Sequence, residues 1–184
     1  MQRLRPAPPS LSFDIGRSGQ KLVMPSEVLE IFAEHQQLKA RDREAGGQLF
    51  GRVAWTTVTV EHATGPRPTD IRTRYSYQPD RKAEQAEIDD AHRRGLFFLG
   101  DWHTHPEPVP SPSPQDLHSI TEAFKKSTHH LNGFLLVIAG TQRLPSGLYV
   151  AVHNDKEAVR LLPRTRASCA KQAAMKEDAH GKTR

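Results

Sequence analysis

The most informative segment of this chain reads HTHPEPVPSPSPQD and runs from His103 to Asp116. It follows the apolar run 96–99, which predicts a buried strand. Because side chains alternate along a strand, residues two apart point to the same face. The imidazoles of His103 and His105 can therefore reach one ion, while Thr104 faces the other way.

An aspartate completes a set of three metal ligands with the two histidines. Asp116 follows His105 after a short proline-rich excursion and supplies a third, charged ligand. Three protein ligands leave a fourth tetrahedral position open, and this open position distinguishes a catalytic zinc from a structural one. The segment therefore has the spacing of a zinc hydrolase site.

The composition indicates one folded domain with polar tails. At 184 residues the chain is long enough to bury a core, and its 36% hydrophobic content fits a folded body smaller than the whole chain. The start is polar and proline-rich, without the apolar region of a secretory signal, and no stretch approaches the ~18 apolar residues of a membrane span. A single cysteine, Cys169, excludes an intrachain disulfide, so we expect a reducing cytoplasm.

The charge pattern suggests where the domain ends. The net charge is +5, and the last 22 residues carry six lysines and arginines against two acids. We expect residues 1–11 to be a flexible leader, residues 12–160 to be the catalytic domain, and residues 161–184 to be a basic, flexible tail. The alternative for the tail is contact with nucleic acid or an acidic partner.

The order of the predicted elements indicates an α/β or α+β fold with helices on a curved sheet. Helical periodicity and start signals predict helices over 25–40, 79–94 and 114–126. Apolar and β-branched runs predict strands at 48–53, 55–61, 96–99, 133–139 and 148–153, with 133–139 buried on both faces. We expect Gly46 and Gly47 to form a turn after the first helix, and residues 62–78 to form a long loop or an irregular edge strand.

The serine of the segment has two compatible roles. Ser113, Pro114 and Asp116 form a good helix start, with serine at the N-cap, proline at N1 and an acid at N3. Such a pattern alone is more often a cap than a catalytic feature. A cap fixes the position of the serine, so Ser113 remains a candidate for catalysis.

Glu44 is the candidate general base. A charged residue near a helix end usually lies on the surface, and Glu34 and Asp42 are close in sequence. Glu44 is favoured by its position beside Gly46 and Gly47, where small residues allow close approach of backbone or substrate. Hydrolysis of an amide needs such a group, because a proton must be accepted and later given to the leaving amine.

Two further residues lie beside the first histidine. Trp102 points opposite to His103 on a regular strand, so we expect it to pack in the core. Asp101 shares the face of the histidines, where it is either a hydrogen-bond partner of an imidazole or a simple exposed acid. His118, two residues past Asp116, is expected on the surface.

The five candidate residues together resemble the JAMM motif of the MPN (Mov34) metalloprotease family: Glu44, His103, His105, Ser113 and Asp116. The spacing matches the family pattern H-x-H-x10-D without an insertion, and the resemblance covers about residues 12–155. It implies a cytidine deaminase-like fold in which helices flank a curved mixed sheet. It also implies a zinc isopeptidase that removes ubiquitin-like proteins or related tags.

The resemblance assigns a role to each of these residues. It implies that His103, His105 and Asp116 bind one Zn²⁺ ion. It implies that Glu44 is the general acid/base, and that Ser113 donates a hydrogen bond to the developing oxyanion.

Two stretches are similar to the compact bacterial deconjugases of antiphage signalling operons. They read EAGGQLFG from Glu44 and LGDWHTHPEP from Leu99. Those enzymes accompany a cyclic-nucleotide synthase and cleave after its conjugated C-terminus. The similarity implies a protein conjugate as substrate, carrying either a ubiquitin-like tag or a nucleotidyltransferase C-terminus, with no membrane or nucleic-acid partner.

Three alternatives share parts of this pattern. The RadC family, which is associated with DNA, also shows His-x-His-Pro followed by prolines and Pro-Ser-x-x-Asp, but Trp102 and the EAGG segment favour the deconjugases. An inactive MPN scaffold typically lacks metal ligands, and all of them are present here. A protease that processes ubiquitin-like or sulfur-carrier precursors is the third alternative.

Overall fold

The computed structural model describes residues 8–164, and within them the chain forms ten strands and three helices. In chain order these are β1 Leu11–Asp14, β2 Lys21–Met24, α1 Ser26–Glu34, β3 Gly46–Val53, β4 Thr57–Ala63, β5 Ile71–Arg72, β6 Tyr77–Gln78, α2 Arg81–Arg93, β7 Phe97–Thr104, α3 Pro114–Lys126, β8 Phe134–Ala139, β9 Leu148–His153 and β10 Ala158–Arg160. The predicted helix over 114–126 and the predicted strand over 148–153 have these same bounds.

Eight of these strands form one mixed sheet in the order β1-β2-β4-β3-β7-β8-β9-β10. The strand that carries the histidines, β7, lies near the centre, antiparallel to β3 and parallel to β8. The helices cover both faces of the sheet. This architecture confirms the predicted fold class.

β8 is buried along its whole length. Leu135, Val137 and Ala139 belong to the core under α1, which also holds Phe32 and Trp102. The alternate side chains on β8 pack in a second cluster with residues of α3. The prediction of a central strand buried on both faces is therefore confirmed.

The first helix is shorter than predicted. Its hydrophobic spacing continues to Leu38, but α1 ends at Glu34. Gln36 and Gln37 are both buried and use their side-chain amides to bind backbone carbonyls of other segments. Those tertiary hydrogen bonds take residues 35–40 out of the helix.

The prediction that Gly46 and Gly47 form a turn is wrong, because both begin β3. Each is needed for close packing rather than for a turn. A Cβ on Gly46 would lie 2.6 Å from the ring of Tyr77, and a Cβ on Gly47 would overlap the carbonyl of Thr64. No side chain fits at either place.

Residues 62–78 are more ordered than a loop. They include the end of β4 and a separate two-stranded hairpin of β5 and β6. Strands of two residues are too short to give an alternating pattern, which explains why sequence periodicity misses them. The edge strands β1 and β10, and β2 beside β1, are likewise absent from the prediction.

The folded part extends past the predicted end of the domain at residue 160. Leu161 is buried in the core, Pro163 pairs with Phe13 of β1, and the backbone N–H of Arg164 donates to Ser12. β1 begins at Leu11, the last residue of the predicted leader. Residues 1–7 and 165–184, with Cys169, lie outside the described residues, so a flexible leader and tail there stay predictions. No helix in the described part of the chain is long and apolar enough to cross a membrane.

Candidate metal centre and active site

The two histidines converge at the end of β7. His103 is a strand residue, and His105 continues the pairing with β8 because its backbone N–H donates to the carbonyl of Ala139 at 3.0 Å. Their Nε2 atoms lie 3.1 Å apart. Thr104 between them is fully buried and points to the other face. The predicted shared direction of the two imidazoles is confirmed.

Asp116 reaches the histidines from the first turn of α3. The Ser113 hydroxyl oxygen accepts from the Asp116 N–H at 3.2 Å, and the Asp116 carboxylate accepts from the Ser113 N–H at 2.6 Å. This reciprocal cap fixes the carboxylate. Its oxygens lie 3.2 Å from Nε2 of His103 and 3.5 Å from Nε2 of His105.

The environment keeps Asp116 ionised. Burial raises the pKa of its carboxyl group, but hydrogen bonds from His103 and His105, the His103 charge and the Ser113 N–H outweigh that effect. The net pKa lies well below the ordinary value for aspartate. An anionic oxygen donor is therefore maintained beside the two imidazoles.

Glu44 approaches the same point from the opposite side. It lies in the loop between α1 and β3, and only 5% of it is exposed. Its Oε1 is 3.9 Å from Nε2 of His103 and 3.9 Å from Nε2 of His105. Burial raises the pKa of this carboxyl group, although the charges of both histidines partly oppose the rise. A raised pKa makes Glu44 a better proton acceptor than an exposed glutamate.

Backbone contacts to the β5–β6 hairpin hold Glu44 in place. Its N–H donates to the carbonyl of Thr73 at 2.7 Å, and its carbonyl accepts from Nε of Arg72 at 2.6 Å. The next residue, Ala45, donates its N–H to the Thr104 hydroxyl at 3.0 Å and accepts from the Thr104 N–H. Thr104, the residue between the histidines, thus ties the Glu44 segment to β7.

A buried glutamine completes this connection. The Thr104 hydroxyl donates to Oε1 of Gln37 at 3.1 Å, and Nε2 of Gln37 donates to the carbonyl of Arg74 at 2.7 Å. Gln37 is 1% exposed. The glutamine joins the histidine strand, the Glu44 segment and the hairpin loop in one network.

The donor atoms fit a tetrahedral metal ion. Nitrogen and oxygen ligands about 2.0–2.1 Å from such an ion lie about 3.3 Å from one another. The two Nε2 atoms of His103 and His105 lie 3.1 Å apart, Oδ1 of Asp116 lies 3.2 Å from that of His103, and Oδ2 of Asp116 lies 3.5 Å from that of His105. Glu44 forms a second possible donor group with the two histidines, because the donor atoms of Glu44, His103 and His105 all lie within 4.8 Å of one another. Oε1 of Glu44, at 3.9 Å from both nitrogens, is farther from them than the Asp116 oxygens are.

The site lies in a cavity of about 920 Å³. All five predicted site residues line it: Glu44, His103, His105, Ser113 and Asp116. The cavity continues past the hairpin residues Tyr75 and Tyr77 towards Glu84 and Asp101. The structure therefore brings the five residues together in one space large enough for an extended peptide segment.

The neighbouring residues are placed as follows. Trp102 is 1% exposed and packs on Phe32 at 4.9 Å between ring centroids, as predicted for a core residue. His118 is exposed, as predicted. Asp101 lines the cavity without a hydrogen bond to either imidazole among the described residues, and burial and the charge of Glu84 raise its pKa to about 7.

Sequence reasoning missed the residues that hold Glu44. Gln37, Thr104 and Arg72 bear no motif, and their partners lie 28 to 67 residues away in the chain. The one available signal was the pair of glutamines at Gln36 and Gln37 inside an apparent helix. Buried amides at such a position usually bind backbone groups of another segment.

Comparison with known proteins assigns the family. Residues 25–162 match the family described as prokaryotic homologs of the JAB domain. The match covers most of the chain and includes every residue of the site. The chain belongs to this family of JAB-domain proteins.

Two of the curated proteins that this chain resembles are named as an isopeptidase and as a probable metalloprotease. Over 83 residues, 44% of this chain, it is 41% identical to a protein of Pseudomonas aeruginosa named "CD-NTase/cGAS isopeptidase". Over 89 residues, 45% of this chain, it is 37% identical to a Sinorhizobium fredii protein named "Probable metalloprotease y4qB". Both matches span 52% of the relative, so the chain spans about half the length of these curated relatives.

A solved structure supports the fold alone. The solution structure of a protein from Desulfitobacterium hafniense aligns with a TM-score of 0.54 at 18% sequence identity. The alignment covers 76% of this chain and 87% of the other.

Proposed function

We propose that this protein is a zinc-dependent isopeptidase that releases a protein conjugate. The observation that carries the proposal is the ligand spacing of 3.1 to 3.5 Å among His103, His105 and Asp116, with Glu44 at 3.9 Å from both imidazoles. Two imidazoles and one carboxylate around an open position are the donor set of a catalytic zinc site. Family membership and the names of the relatives support the same reading.

Each residue then has a defined task. His103, His105 and Asp116 would hold the ion. A zinc ion bound there would supply Lewis acidity towards the scissile carbonyl and lower the pKa of water. Glu44, with its raised pKa, takes a proton from the attacking water and gives it to the leaving amine.

Ser113 is suited to stabilise the developing negative charge. Its oxygen already accepts from the Asp116 N–H, and among the described residues its hydroxyl proton has no acceptor. Ser113 also lines the cavity. The hydroxyl can therefore donate to the oxygen of the scissile carbonyl as charge accumulates there.

The substrate we propose is a protein joined through the C-terminus of a nucleotidyltransferase, in bacterial antiphage signalling in the cytoplasm. The relatives named "CD-NTase/cGAS isopeptidase" support a CD-NTase as one part of the substrate. The cavity accommodates an extended C-terminal segment, since it continues along the hairpin from Tyr75 to Gln78. A ubiquitin-like tag at the same position would use the same chemistry.

Intact-mass analysis of a CD-NTase conjugate incubated with the zinc-loaded protein tests this function. We expect cleavage after the C-terminal residue of the CD-NTase by the wild type, and cleavage about 10²–10⁴-fold slower by Glu44→Gln. An unchanged mass with zinc-loaded wild type would contradict the proposed substrate. Cleavage at equal rates by both proteins would contradict the role of Glu44.

A further inference from the structure

Five cations belong to two segments that meet beside Glu44, where Arg72 binds the Glu44 carbonyl and Arg74 binds the carbonyls of Lys39 and Ala40. The segments are 38–43 and 71–75, and we call the five cations the basic rim: Lys39, Arg41, Arg43, Arg72 and Arg74. Asp42 is the one acid in these segments, which gives them a net charge of +4. Its carboxylate accepts from the backbone N–H of Lys39.

Hydrogen bonds join the two segments into one surface. The Arg74 guanidinium donates to the carbonyls of Lys39 at 2.8 Å and Ala40 at 2.9 Å. Nε of Arg72 donates to the carbonyl of Glu44. Both guanidinium groups thus bind backbone oxygens, which carry no net charge. Among the described residues, no carboxylate lies within ion-pair distance of any cation of the basic rim.

Exposed apolar side chains accompany these charges. Leu38 is 49% exposed, Ile71 66% and Tyr75 77%. Tyr75 and Ser76 also line the cavity, so this surface continues into its mouth. Tyrosine and arginine around aliphatic side chains are typical of protein interfaces. Nucleic-acid backbones are bound mainly through phosphate contacts, which Leu38 and Ile71 do not provide.

We propose that the basic rim, with Leu38, Ile71 and Tyr75, docks an acidic surface of the protein conjugate beside the scissile bond. This inference rests on the proposed function, because it names what holds the substrate of that same site. A carboxylate-rich partner surface complements the charge of +4, and opposite charges speed association when salt is low. The partner is thus recognised as a folded protein and not only through its extended C-terminal segment.

Charge reversal tests the inference. The double variant Lys39→Glu/Arg41→Glu is compared with Lys125→Glu/Lys156→Glu, which reverses two exposed lysines outside the basic rim. Each protein is assayed on the CD-NTase conjugate and on a short synthetic peptide that spans the same scissile bond. We expect the ratio of kcat/KM for the conjugate to kcat/KM for the peptide to fall about 10-fold in the rim variant and not in the control. Raising the ionic strength should reduce the difference.

The outcomes separate this inference from the function. An unchanged ratio in the rim variant, while the wild type cleaves both substrates, would overturn the docking surface and leave the isopeptidase in place. A wild type that cleaves neither substrate would overturn the function and the inference together. If the rim variant loses binding to a 20-base-pair duplex while its ratio stays unchanged, the rim is a nucleic-acid surface and the inference is wrong.

Discussion

The two sides of the cavity are built in different ways. On the metal side, His103 lies in β7, His105 directly follows that strand, and Asp116 comes from the capped first turn of α3. On the other side, Glu44 lies in a loop of eleven residues between α1 and β3 and is held by hydrogen bonds to the β5–β6 hairpin and Thr104. Secondary structure positions the proposed metal ligands, whereas tertiary contacts hold the proposed general base.

Because of this difference, substitutions on the two sides of the cavity should have different effects on metal content and turnover. Changes on the metal side should remove the ion and activity together. Changes around Glu44 should lower turnover while the ion stays bound, because the hydrogen bonds that hold the Glu44 backbone and Ala45 involve neither Asp116 nor the imidazole nitrogens.

The largest effect is expected on the metal side. His103→Ala or Asp116→Ala removes one of three ligands, so zinc content and cleavage should both fall below detection. Mass spectrometry of the metal and the conjugate assay measure the two quantities, and circular dichroism checks that the fold remains. Full zinc occupancy in both variants would refute the ligand assignment.

Ser113→Ala should reduce kcat by about 10²–10³-fold, the usual cost of one oxyanion donor. It also removes the cap of α3, which costs about 1 kcal/mol of stability. The control is Asp80→Ala, which removes the N-cap of α2. This control should lower the thermal midpoint with little change in kcat, whereas equal losses of kcat in the two variants would mean that Ser113 acts only as a cap.

Thr104→Val should lower kcat about 10-fold with the metal retained. Valine has nearly the same shape but cannot accept from the Ala45 N–H or donate to Gln37, so the Glu44 segment loses its link to β7. Thr104→Ser keeps the hydroxyl and should restore most of the activity. A Thr104→Ser variant as slow as Thr104→Val would point to packing instead.

Gln37→Met should resemble Thr104→Val, and the neighbouring glutamine offers a matched control. Gln36 is also buried and also binds two carbonyls, but these belong to Gly140 and Gln142 rather than to the Glu44 side. We expect Gln36→Met to lose comparable thermal stability with a smaller loss of kcat. The account of how Glu44 is held would fail if both variants lost kcat equally.

The smallest effect concerns pH and stability. Burial raises the pKa of Glu44 in the folded protein, so the native state binds a proton more tightly than the unfolded chain, and stability falls as pH rises through this pKa. Glu44→Gln should therefore raise the thermal midpoint of the metal-free protein at pH 7 by a few degrees at most. The gain should vanish near pH 4, where the carboxyl group is protonated; a lower midpoint at pH 7 would contradict the sign.

The contrast between the two sides also explains which parts of the site can be predicted from the sequence and which cannot. The alternation of β7 and the cap of α3 depend on residues a few positions apart, so the positions of His103, His105 and Asp116 followed from local patterns. Glu44 was proposed from its motif, but its support by Gln37 and Arg72 depends on partners far along the chain. The same tertiary hydrogen bonds ended α1 early, where the local pattern predicted a longer helix. The roles of all five site residues remain predictions.

The most direct test is the zinc content of Glu44→Gln, measured together with its single-turnover cleavage of the conjugate. Since Glu44 lies within 3.9 Å of both histidine nitrogens, it is the residue whose role as base or ligand most needs a measurement. We predict one zinc ion per chain, as in the wild type, and a rate reduced by about 10²–10⁴-fold. Loss of zinc from this variant would contradict the account and make Glu44 a metal ligand.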